Sequence, residues 1–98
     1  MDDLIMLLLI GLGIYVGYKI LMKIGGWLVN WARTALSGIG NGILAVARTL
    51  SKILAFAVAL NQGAPDVVEE IEVDESDLSE EVLEVLRQHG AVIQRINV

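Results

Sequence analysis

Trp27–Leu60, WLVNWARTALSGIGNGILAVARTLSKILAFAVAL, is the stretch on which the fold turns. With successive residues placed about 100° apart, Asn30, Arg33, Thr34, Ser37, Asn41, Arg48, Ser51 and Lys52 fall within about 60° of one direction. Leu28, Ala35, Leu36, Ile39, Ile43, Val46, Leu50, Ile53, Leu54 and Ala57 lie opposite. Phase held over 34 residues, roughly 51 Å at helical rise, predicts one long amphipathic membrane-surface helix within 25–60. Gly38, Gly40 and Gly42 do not break the phase, so they read as a bent or closely packed stretch, with Gly38 and Gly42 as helix-packing positions. A second membrane span over 43–60 would instead place Arg48 and Lys52 near the bilayer centre, at about 2.5–3.5 kcal/mol each. The apolar face covers more than half the circumference, so part of it should pack on protein.

Toward the N-terminus, Gly25-Gly26 interrupts the pattern, and Trp27 and Trp31 sit at i, i+4 as headgroup-layer anchors. Leu4–Tyr18, LIMLLLIGLGIYVGY, is uncharged, and its continuation to Ile24 makes 21 residues, roughly 31 Å of helix. The expectation is a transmembrane anchor over 1–24, with Lys19 and Lys23 snorkelling to the headgroups and Gly13 and Gly17 forming a GxxxG contact. Asp2 and Asp3 precede the span while Lys19, Lys23 and Arg33 follow it. The positive-inside rule then predicts a single-pass, N-out/C-in protein of a cell inner membrane or a virion internal membrane. The acidic start and the lack of a small-x-small site argue against a cleaved signal peptide.

Toward the C-terminus, Asn61-Gln62-Gly63-Ala64-Pro65 holds the single Pro and reads as a linker, 61–65. Charge changes sign there. Residues 1–65 carry five Lys/Arg against two Asp, a net +3, and residues 66–98 carry two Arg against ten Asp/Glu, a net −8. Asp66–Val73 suits a strand, Asp77-Leu78-Ser79-Glu80 has capping-box spacing for a short helix, Gly90 suits the left-handed turn after it, and Ala91–Val98 reads as a second strand. A parallel β-α-β tail over 66–98 follows from this order. At 33 residues it is too small to be stable alone, and its open edges argue for docking through Glu70, Glu72, Arg95 and Ile96.

A 98-residue chain that is 55% hydrophobic, with mean hydropathy +0.65, exceeds the usual apolar share of a soluble domain. The sequence has no Cys, which excludes disulfides and thiolate chemistry. The acidic run 69–77 lacks calcium-loop spacing, and the single His, His89, reads as a helix-end residue. Ser37, Ser51, Ser76 and Ser79 have no motif-placed His, no phosphate-binding loop occurs, and a segment at −8 repels nucleic acid. No catalysis, cofactor or small-molecule substrate is expected.

The reading as a whole is a mostly α membrane protein: one N-terminal transmembrane helix, a long amphipathic helix and a small β-α-β tail. Its expected function is structural and non-enzymatic, with a lipid bilayer and a homo-oligomer or protein shell as partners, as in a small membrane protein of a lipid-containing virion. The alternative is an oligomeric membrane-permeabilising, holin-like or transport subunit. The order of short span, Lys19 and Lys23, Gly25-Gly26, amphipathic helix and acidic tail resembles the TatA family of twin-arginine export in layout, over about two-thirds of the chain. The resemblance implies an export-pore subunit. That family's Phe-Gly hinge is missing, the helix is less cationic, and the tail reads as folded.

Overall fold

The computed structural model of the chain describes residues 23–61 and 64–96. Helix α1, Gly26–Ala35, buries Leu28, Val29 and Ala32 at helical spacing and exposes Asn30, Arg33 and Thr34. It ends where Leu36 donates its N–H to the Ala32 carbonyl at 2.9 Å, after which Gly38 (φ 83°) and Gly40 (φ 112°) turn the chain. Four strands follow: β1, Gly42–Arg48; β2, Ile53–Asn61; β3, Ala64–Val73; and β4, Ala91–Ile96. A 3-10 turn, Glu75–Asp77, and helix α2, Glu80–His89, join β3 to β4.

The sheet order is β3-β2-β1-β4, and every neighbouring pair is antiparallel. Both of its faces are apolar. On the first face, Leu44, Val46, Ala55, Ala57, Ala59, Val92 and Ile96 pack with Leu28, Val29, Ala32 and Leu36 of the α1 region and Val82, Leu83 and Leu86 of α2. The three alanines of β2 leave room for the larger helix side chains to approach. Each large aliphatic buried there contributes about 1.5–3 kcal/mol. On the second face, Ile43, Ala45, Ala47, Phe56, Val58, Ala91 and Ile93 form a separate buried cluster.

Local capping fixes α2. The Ser79 hydroxyl accepts the Val82 N–H at 3.3 Å, Glu80 and Glu81 occupy the first turn, and Arg87 and His89 the last. These signs match the helix macrodipole. Gly90, at φ 87°, donates its N–H to the Leu86 carbonyl at 2.9 Å and turns the chain directly into β4.

The structure corrects the mostly α membrane reading: the described chain is an α/β fold of four antiparallel strands and two short helices. The long amphipathic helix expected to Leu60 ends at Ala35, and residues 42–61 are a β-hairpin. Its polar stripe has two sources. Asn30, Arg33 and Thr34 are the wet side of a real helix, whereas Arg48, Ser51 and Lys52 belong to the end of β1 and the turn after it, whose spacing happens to keep helical phase. The β-α-β tail is corrected as well. Residues 64–73, 80–89 and 91–96 form strand, helix and strand, but β3 and β4 lie at opposite edges, separated by β2 and β1, and are not parallel neighbours.

No helix among the described residues is long and apolar enough to cross a membrane, which overturns the single-pass, N-out/C-in membrane assignment as it was reached. The anchor expected over 1–24, with Gly13, Gly17 and Lys19, lies outside the described residues except for its last two positions. The TatA-like layout loses its amphipathic helix to the β1–β2 hairpin.

Candidate interaction surface

The β1–β2 turn is built by local hydrogen bonds. Thr49 donates its N–H and its hydroxyl to the Lys52 carbonyl, both at 2.8 Å, and its Oγ1 accepts the Lys52 N–H at 3.1 Å. The Arg48 N–H reaches the Gly90 carbonyl at 2.8 Å, tying the turn to the α2–β4 junction. This frame holds Leu50 fully in solvent at the tip, with Lys52 exposed beside it. Across from it, Asp74 and Asp77 cap the 3-10 turn reciprocally, the Asp74 N–H donating to Asp77 Oδ2 at 3.1 Å.

Between the two lies a 240 Å³ open pocket lined by residues 48–53 and by Glu72, Val73, Asp74 and Glu75. Its two walls carry opposite charge. No ion pair joins Arg48 or Lys52 to these carboxylates, whereas on α2 Arg87 pairs with Glu84 at 3.4 Å.

Among the described residues, strand β3 continues this surface as a sheet edge, bonded to β2 alone and leaving a row of backbone groups on its outer side. Register with β2 puts Glu70 opposite Phe56 and Glu72 opposite Leu54, while Glu69 stands opposite Ala57 on the other face. All three carboxylates are exposed. Val67 pairs with Val58 and Glu69 with Ala57, so Val68 is the extra residue of a bulge, packed into the first core cluster. Bulge and like charges together discourage two copies of this edge from pairing with each other.

The expected docking residues therefore separate. Glu70 and Glu72 stand on β3, Arg95 is exposed on β4 at the far edge, and Ile96, 2% exposed, is part of the first core cluster and unavailable to a partner. Of the expected headgroup anchors, Lys23 and Trp27 are exposed, whereas Trp31 packs against the core. Gly38 lies in the turn after α1, and Gly42 starts β1 beneath Leu36. Sequence reasoning missed Thr49 and Leu50. Their signal was a Thr-Leu-Ser-Lys break between two apolar runs of strand length.

Among the described residues, no three His, Asp or Glu side chains are grouped to hold a metal ion. No protein-family model, curated protein or solved structure matches the chain.

Proposed function

We propose that the chain is a non-enzymatic structural protein that docks onto protein neighbours, taking a basic extended segment along the β3 edge. The supporting observation is the edge itself: an outer strand whose exposed side chains include Glu69, Glu70 and Glu72, running into the pocket wall of Asp74 and Glu75. Backbone groups on an open edge bind an added strand through main-chain hydrogen bonds, and side-chain charge selects which strand. The Leu50 tip, held by the Thr49–Lys52 bonds, adds an apolar contact beside that edge.

The test is titration of the isotope-labelled full chain with a ten-residue peptide alternating Val and Lys. Amide shifts should concentrate in 64–75 and weaken with salt. The double variant Glu70→Lys, Glu72→Lys should lower affinity about tenfold or more, equivalent to about 1.4 kcal/mol. No binding, or binding indifferent to the charge reversal, would sink the reading.

A further inference from the structure

Strand β3 offers a partner strand fewer backbone groups than its length implies. In an antiparallel ladder, residues directly opposite alternate between exchanging both backbone hydrogen bonds and exchanging none. Leu60 donates its N–H to the Asn41 carbonyl at 3.2 Å, and Thr49 donates its N–H to the Lys52 carbonyl at 2.8 Å. These bonds fix the alternation: even-numbered residues of β2 bond β1, and odd-numbered ones bond β3. Ile53, Ala55 and Ala57 thus occupy Val73, Ile71 and Glu69, and the N–H and C=O of Glu70 and Glu72 point outward, unbonded among the described residues. The row stops on both sides. Past Val73, the Asp74 N–H is taken by Asp77 Oδ2 at 3.1 Å. Before Glu70, the extra residue Val68 puts the next outward position, Val67, out of step with a regular strand, and Pro65 beyond it has no N–H.

We infer that the segment taken up by this edge, on the docking reading proposed above, is recognised through a basic-apolar-basic triplet running antiparallel to β3. That direction continues the alternation of the sheet. The first residue of the triplet exchanges both backbone bonds with Glu72, and the third does so with Glu70. Their side chains then stand beside the two carboxylates on the second face, the face of Leu54 and Phe56. Across each such pair the Cα atoms lie about 5.5 Å apart, close enough for opposite charges to attract. The middle residue turns its own N–H and C=O away from β3 and its side chain to the face of Ile71. Ile71 is half-buried and packs against the first core cluster, so a β-branched apolar side chain there extends that cluster to the edge. Only Glu70 and Glu72 are read through the main chain, so residues flanking the triplet contribute little beyond their charge.

The test separates this inference from the docking reading on which it rests. The full chain is titrated with the peptide Thr-Thr-Lys-Val-Lys-Thr-Thr and with versions N-methylated on the backbone at a single residue. Methylation at either Lys should weaken binding about tenfold or more, because it removes a main-chain bond and sets a methyl group against the edge. Methylation at Val, whose N–H points away from β3, should weaken it less than about twofold. Intermolecular nuclear Overhauser contacts should join the Val methyls to Ile71 and not to Phe56. Equal losses at Val and Lys, or Val contacts to Phe56, would overturn the triplet while leaving a basic strand on the edge. Binding by none of the peptides, the unmethylated one included, would overturn the docking reading and this inference together.

Discussion

Gly42 shows how one missing side chain sets the approach of a helix region to the sheet. A Cβ there would strike the Val58 carbonyl oxygen and come within 2.7 Å of Leu36 Cδ1. Gly42→Ala must therefore displace the neighbouring strand or Leu36, which is 0% exposed. The expected cost is about 1–3 kcal/mol, read as a lower urea midpoint with unchanged slope; an unchanged midpoint would show that Leu36 is not held as described. Gly90, with its positive φ, was legible in the sequence because a glycine after a helical run is a local signal. Gly42 was legible only as a packing position. The atom it must clear belongs to Val58, sixteen residues further on, and nothing in the spacing of Gly38, Gly40 and Gly42 points to it.

At the scale of elements, β2 explains why the helical reading failed. A strand wet on one face alternates apolar and polar residues, but ILAFAVAL is covered on both, so its alternation is large against small: Leu54, Phe56 and Val58 on one side, Ala55, Ala57 and Ala59 on the other. A run of this kind cannot be told from a buried helix by periodicity. The Gly90 turn after α2 and the strand character of β3 and β4 survived because they depend on near neighbours, whereas the N-cap expected at Asp77 is Ser79, and Asp77 caps the 3-10 turn before the helix. Phe56, the largest fully buried side chain among the described residues, anchors the second face. Phe56→Ala should cost about 3–5 kcal/mol, measured by chemical denaturation. A loss under about 1 kcal/mol, the level of an exposed site, would mean that this face is not sealed.

For the molecule as a whole, the sheet order decides what can fold alone. Residues 66–98 supply the two edges and one helix, while β1 and β2, the only strands that join those edges, lie earlier in the chain. The isolated 66–98 peptide should give a coil-like circular dichroism spectrum with no cooperative thermal transition. Cooperative folding of that peptide as a monomer would contradict the topology. Here the sequence was legible in part. Glu70 and Glu72, the acids expected to dock a partner, stand exposed on β3, but the turn carrying Leu50 lay hidden inside the supposed helix, so the pocket between that turn and the end of β3 could not be assembled from spacing alone.

The same order has a consequence for synthesis. β1 bonds β2 on one side and β4 on the other, and Ala91 is translated 43 residues after Arg48. At about 5–20 residues per second, that interval is roughly 2–9 s. Once Val73 has been made, the growing polypeptide holds a three-strand meander in which β1 has one unsatisfied flank, Gly42–Ala47, waiting for a partner the ribosome has yet to make. The aggregation-prone species is thus the half-made chain, and conditions that slow elongation between these points should lower the yield of folded protein more than equal slowing elsewhere.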